Sequence, residues 1–258
     1  MNRRGYNQNN EVHTIIRVDT TKTSTGGSDA NSIRLPMVNF SGIVDFGDGT
    51  IQSYDYSPSI TITHTYATSG IYTIKIRITN GNYGQFFYNS GNVVDRLKLI
   101  EIVKYGKLYI GSSSFRTCAN LRMDNVTGQM RLRDNPTYAF ADSGVTTINN
   151  IHLWDMSNVT TMERMFSRAL NFNQDISGWN FNKDVDLLNF MVGKSAASYS
   201  PVYYSNLLIK LRNCVVGTGR TQTSKYLTMQ NLKYTSAGAS ARADLVADGW
   251  TIVDGGLA

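Results

Sequence analysis

The feature that most constrains this chain is a recurrence. Phenylalanines stand at 115, 140, 166 and 190, at steps of 25, 26 and 24, and Trp154 and Trp179 lie 25 residues apart. A fixed period of about 20–50 residues marks a chain whose units stack, each burying its apolar face on its neighbour. Such a pattern specifies a scaffold with extended surfaces and, by itself, no reaction. Met162, Met165 and Phe166 are spaced i, i+3, i+4, which predicts a short helix after the strand of each repeat. Cys118 and Ala169 each stand three residues after a recurring phenylalanine, Phe115 and Phe166, so Cys118 is expected to be a small core residue.

The rest of the chain divides around this stretch. Residues 1–10 are polar and read as an arm, and 11–94 carry short alternating runs at roughly ten-residue spacing, the pattern of an antiparallel sandwich. Val12, Thr14, Ile16 and Val18 alternate in the first run; Ile33, Leu35 and Met37 predict a short strand that Pro36 puts at an edge or end. GIVDFGDGT (42–50) is a strand and tight turn, and SITITHTY (59–66) with IYTIKIRIT (71–79) forms a hairpin. The Gly/Asn-rich stretch 80–94 is a boundary whose Phe86, Phe87 and Tyr88 are expected to plug an interface. Residues 95–199 carry the repeats. From 200 to 258 a helix opened by Ser200-Pro201, a strand near Tyr226–Met229, a helix capped by Ser236 and a final strand after Gly249 make a capping module.

Two resemblances follow from these residues. VDFGDGT followed by ITHTYATSGIYTIKI resembles the PKD-type immunoglobulin-like domain, with Val44 where that family usually has Trp. The resemblance implies a β-sandwich used for display or adhesion. WDMSNVTTMERMF (154–166) and NFNQDISGW (171–179) are similar to the BspA-like leucine-rich repeat family, and the tail KYTSAGASARADLVADGWTIVDGG resembles the module that follows such repeats. The fold class expected is therefore mainly β: an N-terminal Ig-like (PKD-like) sandwich, a short leucine-rich solenoid with a strand and a short helix per repeat, and an α/β C-terminal cap.

Charge and chemistry narrow the function. The chain has 25 basic and 19 acidic residues, a net +6, and eight basic side chains between Asp95 and Asp134 against four acids. That excess suits an anionic partner or a solvated face, and no nucleic-acid module accompanies it, so no nucleic-acid partner is expected. No run of 18 apolar residues exists, so membrane insertion is not expected, and MNRRGYNQNNEV lacks the apolar centre of a secretory signal. Cys118 and Cys214 lack metal-ligand spacing and are expected as free thiols. His13, His64 and His152 fall in three separate elements, and neither GxSxG nor HExxH occurs, so no catalytic residue or cofactor is assigned. Asp45 and Asp48 are weak candidates for calcium, against the alternative of capping their turn's amides. Glu163, Arg164 and Arg168, between the tryptophans, are the candidate contact residues.

The function expected is that of a non-enzymatic bacteriophage virion component, exposed on capsid or tail and mediating protein or host-surface adhesion. The two resemblances imply such a setting, and the absence of a signal peptide favours it. Its partners would be other virion proteins and a host-surface glycan or protein, in a multicopy or homo-oligomeric assembly. The alternatives are a bacterial cell-surface or secreted adhesin and, third, a polysaccharide-degrading tail protein.

Overall fold

The computed structural model of the chain describes residues 13–79, 84–88, 95–221 and 224–258. The expectations for residues 1–10, and for the parts of the 80–94 boundary at 80–83 and 89–94, lie outside these. The protein is mainly β, as expected. Four strands open it: β1 (His13–Asp19), β2 (Ser32–Asp45), β3 (Ile51–Thr65) and β4 (Ile71–Ile78). Alternation does what the sequence implies: Thr14, Ile16 and Val18 of β1 are buried while His13, Ile15 and Arg17 are half-buried. Antiparallel registers place Ile16 opposite Ile74 and Val44 opposite Ile76, so the apolar sets share one inner face. The short strand at 33–37 and the strand at 43–46 are in fact one 14-residue β2 that passes through Pro36. Pro36 is tolerated because its carbonyl, and with it the side where its N–H would be, faces away from β3 toward Phe87 N–H at 3.2 Å. Farther on, Asn39 takes φ 52° and the β2–β3 register shifts between Phe40 and Gly42.

All these strands belong to one curled sheet. It runs β6 (Leu99–Lys104)–β1–β4–β2–β5 (Gln85–Phe86)–β7 (Tyr109–Ile110)–β8 (Arg131–Leu132), with β3 on β2. The curl is fixed by a buried polar node just ahead of β6. Asp95 accepts from the backbone N–H of Arg34 (2.6 Å) and Ser28 (2.7 Å), and Lys98 Nζ donates to the carbonyls of Ser28, Asp29 and Ser32 at 2.7–2.9 Å. Both side chains are fully buried 3.9 Å apart, so each depends on the other's charge, and on these carbonyls and amides for its hydrogen bonds.

Beyond β6 the chain stacks in parallel coils. The amide of Phe115 donates to Ala139 O, that of Phe140 to Met165 O, and that of Phe166 to Phe190 O, at 2.7–3.0 Å. These rungs make Phe115, Phe140, Phe166 and Met191 equivalent, so the last phenylalanine of the sequence recurrence, Phe190, sits one place early. Trp154 and Trp179 are equivalent as expected, with buried rings stacked at 6.0 Å and 4°. Cys118 is buried in this core, and both cysteines are free.

The helix expected at Met162–Phe166 is absent, and the correction has a clear cause. Arg164 and Arg168 have φ 54° and 52°, outside the right-handed region that a helix needs. Alternate amides of this stretch bond the next coil: Met162 to Asp186 O, Arg164 to Leu188 O, Phe166 to Phe190 O and Arg168 to Val192 O. The amides between them close i→i+3 turns, as Met165 does to Met162 O and Ser167 to Arg164 O. Met162, Met165 and Phe166 are all buried, so the apolar spacing that suggested a helix is satisfied by tight turns instead. The left-handed residues recur as two columns: Ser113, Tyr138, Arg164 and Asn189, and, four residues on, Thr117, Asp142, Arg168 and Gly193.

The sheet and the coils interlock. β5, which lies within the expected boundary stretch, pairs in parallel with β7, and Tyr88 N–H donates to Ser113 O. β6, which follows that boundary, pairs back onto β1. Phe86 and Tyr88 are buried at this junction and Phe87 is half-buried. At the other end α1 (Pro201–Val215), β9 (Tyr226–Thr228), α2 (Ala239–Ala247) and β10 (Thr251–Val253) cover the last coil, with Leu187 bridging Leu227. Ser200 and Ser236 do not cap through their side chains: Ser200 makes no cap bond, and Ser236 begins a 3-10 turn ahead of α2.

Candidate functional site

The strip between the two left-handed columns is concave. It encloses about 380 Å³, and its walls are Arg116, Tyr138, Asp142, Arg164, Arg168 and Gln230 over buried Ala141 and Ser167. The coil step of 26 residues brings Arg164 beside Tyr138 and Arg168 beside Asp142, and Gln230 reaches in from the C-terminal module, where its Oε1 accepts from Gly193 N–H.

The electrostatics are those of a basic groove with one acid in it. Tyr138 lies between two guanidiniums, with Arg116 Cζ 4.4 Å and Arg164 Cζ 5.3 Å from its ring centroid. The negative face of an aromatic ring attracts cations, so this ring holds two like charges close together. Arg164 also donates to the Tyr138 hydroxyl, and its Nε is 3.8 Å from Glu163 Oε1. Arg168 Nε donates to Asp142 Oδ1 at 2.5 Å, which raises the already high pKa of the guanidinium. The Arg168 side chain is 66% exposed, so the pair is a surface one that exchanges readily with another anion. Arg116 Nε is buried and has no acceptor, an arrangement that costs about 1–3 kcal/mol. Arg96 stands just outside, its Nη1 3.0 Å from Thr117 Oγ1. A smaller hollow of about 190 Å³ beside Leu153 and Trp154 has Asp155 as its one charged residue and no cation.

Of the three contact residues expected from sequence, Arg164 and Arg168 meet in the groove and Glu163 sits behind Arg164. Arg116, Tyr138, Asp142 and Gln230 were missed. The signal was present for two of them: stepping 26 residues back from Arg164 lands on Tyr138, and from Arg168 on Asp142. The basic run at 95–134 does not form one face. Lys98 is buried, Arg122 pairs with Asp124 at 2.9 Å, and Arg116 and Arg96 reach the groove or its rim.

Asp45 and Asp48 are turn residues. Asp45 Oδ1 accepts from Gly47 N–H and Asp48 Oδ1 from Thr50 N–H, each at 2.9 Å. Asp48 Oδ2 is 2.7 Å from His64 Nε2, and the His64 ring stacks on Phe46 at 4.2 Å. Burial pushes the Asp48 carboxyl up, but its bonds to His64 and Thr50 outweigh that and hold it below the usual carboxylate range. His64 of the HTY wording therefore fastens the GDG turn. Among the described residues no three of His, Cys, Asp and Glu gather as a metal-binding group. Nor, among the described residues, is any helix long and apolar enough to cross a membrane.

Comparison with known proteins touches this same region. A family model described as "Mycoplasma protein of unknown function, DUF285" matches residues 135–202, a span that contains Tyr138, Asp142, Arg164 and Arg168. No curated protein and no solved structure matches the chain.

Proposed function

We propose that this chain is a non-enzymatic display and adhesion protein. In this reading an Ig-like, PKD-like base carries a short BspA-like leucine-rich solenoid, and the chain is a bacteriophage virion component exposed on capsid or tail. The observation that carries it is the groove: three guanidiniums from two coils converge on one exposed concave strip. A stack that buries its tryptophans and phenylalanines as scaffold leaves its outer columns free to vary, which is how repeat proteins build recognition surfaces. The virion setting is supported by the shortness of the stack. Four coils carry the paired left-handed residues, and they are bounded by the curled sheet on one side and the α/β module on the other. That is a compact projection suited to repeated copies on a particle.

A bacterial cell-surface or secreted adhesin is the second reading, and the match of residues 135–202 to a family described from Mycoplasma favours it. Mass spectrometry of gradient-purified particles and of the host's envelope fraction separates the two. Peptides of this chain are expected in the particles at a multicopy ratio to the major capsid protein. Their confinement to the envelope fraction overturns the virion setting.

A further inference from the structure

We infer that the groove between the left-handed columns binds an acidic saccharide, its carboxylate or sulfate held by Arg116, Arg164 and Arg168 and its hydroxyls by Asp142 and Gln230. This names the ligand class for the display surface proposed above and rests on that reading. Three features point to a sugar acid over other anions.

The first is the donor set. Guanidinium groups present paired N–H donors that match the two oxygens of a carboxylate or sulfate. The Arg168 guanidinium holds Asp142 only in an exposed pair that an incoming anion can rearrange. Tyr138 keeps Arg116 and Arg164 side by side, so their charge is assembled before any ligand arrives. Such preorganisation lowers the ordering cost of binding.

The second is the acid among the bases. Asp142 stands in the same groove, with Oδ1 bonded to Arg168. A carboxylate here repels a uniform polyanion, but it accepts well from hydroxyl groups. Gln230 adds to this: its Oε1 accepts from Gly193 N–H at 2.9 Å, which directs its amide hydrogens elsewhere. A ligand with one anionic group flanked by hydroxyls satisfies both halves of the site.

The third is size. About 380 Å³ lies near the lower end of small-ligand pockets. It accommodates a short saccharide segment and is too confined for a folded partner.

The test uses the full chain and titration calorimetry with four probes: a hexuronate oligosaccharide, a sulfated glycosaminoglycan oligosaccharide, a neutral oligosaccharide of equal length, and hexaglutamate. Saturable one-to-one binding of either acidic saccharide, with the neutral one silent, is expected. Which of the two binds tells carboxylate from sulfate. Arg168→Gln is exposed enough to leave folding intact, and it should weaken binding roughly tenfold, as should Arg116→Gln. Asp142→Asn is the sharpest arm. It removes a negative charge, so mere charge attraction predicts tighter binding, whereas hydroxyl recognition predicts weaker binding. Tighter binding by Asp142→Asn, equal binding of hexaglutamate, or unchanged affinity in both arginine variants overturns the inference. So does silence of both acidic saccharides. Any of these leaves the display role standing, since the particle composition tests that separately.

Discussion

The curled sheet and the coil stack solve one problem, burying a β-rich chain's apolar side chains, in opposite ways. In the sheet, strands distant in sequence pair side by side, as β1 does with β4 and β6, and side chains alternate at period two, as in Ile74, Ile76 and Ile78 of β4. In the stack, alternate amides find partners 24–26 residues away, and the local chain turns every few residues through left-handed positions. The sheet is held by register and the stack by repetition. The difference also shows in how each buries a lysine. Lys98 meets three carbonyls and an aspartate, whereas Lys194 Nζ donates to Ala169 O and Phe172 O at 2.5 and 2.8 Å beside the rings of Phe172 and Tyr199.

The largest expected effect breaks the sheet's node. Lys98→Met strands a buried Asp95 and three carbonyls and should cost about 3–5 kcal/mol by denaturant titration. Next comes a matched pair of close approaches. A Cβ on Gly42 would lie 2.2 Å from Arg77 O between β2 and β4, and one on Gly144 would lie 1.8 Å from Ala119 O between coils. Each change to alanine forces backbones apart and should cost about 3 kcal/mol. Because β5 crosses into the stack and β6 crosses back to β1, both variants should lower one shared thermal transition. Two transitions, with only one shifted by each variant, would show that the regions fold separately.

That contrast also explains what could be read from the sequence. The strands of the N-terminal region were legible because period two is local, and the GDG turn with its HTY partner was legible because Asp48 and His64 lie close in sequence. Pro36 misled, because the side of the strand its missing N–H faces, away from β3, leaves no local mark in the sequence. In the stack the recurrence was visible, yet Met162, Met165 and Phe166 looked helical, since i, i+3, i+4 spacing also fits a run of tight turns. The left-handed conformation of Arg164 and Arg168 has no signal in those residues themselves; only the equivalent Asn189, Asp142 and Gly193 hint at it. The groove was half legible for the same reason. Its arginines stood out as exposed charges, whereas Tyr138 and Asp142 become neighbours only once the coil step is applied.

A smaller effect separates the buried lysines by pH. Burial lowers the Lys194 pKa from its ordinary value to about 8. Below that pH both folded and unfolded chains carry the proton, and the full cost of burying the charge is present. As pH rises toward the unfolded value near 10.5, the folded chain releases the proton while the unfolded chain keeps it, so stability should rise by about 3 kcal/mol. Above about pH 10 the buried tyrosines reverse the slope, since burial raises the pKa of Tyr199 and Tyr105 and only the unfolded chain ionises them. Stability measured by denaturant at successive pH values should therefore pass through a maximum. Lys194→Met should flatten most of the rise, leaving the part due to Lys98, whose pKa burial also lowers. A wild-type profile that falls steadily from pH 8 would refute the assignment.

The smallest effect is a difference of sign. Thr117 is β-branched and sits at φ 61° in the second left-handed column, where Gly193 stands three coils later. A non-glycine residue there bears a strain of roughly 1–2 kcal/mol. Thr117→Gly relieves it, loses the contact with Arg96, and adds chain entropy to the unfolded state at a cost of about 0.5–1 kcal/mol. The net should be a stabilisation of about 0.5 kcal/mol. Thr63 is exposed on β3 opposite Arg34, in extended backbone that favours a β-branched side chain. Thr63→Gly should therefore destabilise by about 1 kcal/mol. The same substitution thus reports the local rule of each region, and denaturation of the two variants under one buffer reads it directly. If both lower stability equally, backbone strain is not what distinguishes the coils, and the left-handed columns hold their shape through side-chain contacts such as the bond from Arg96 to Thr117.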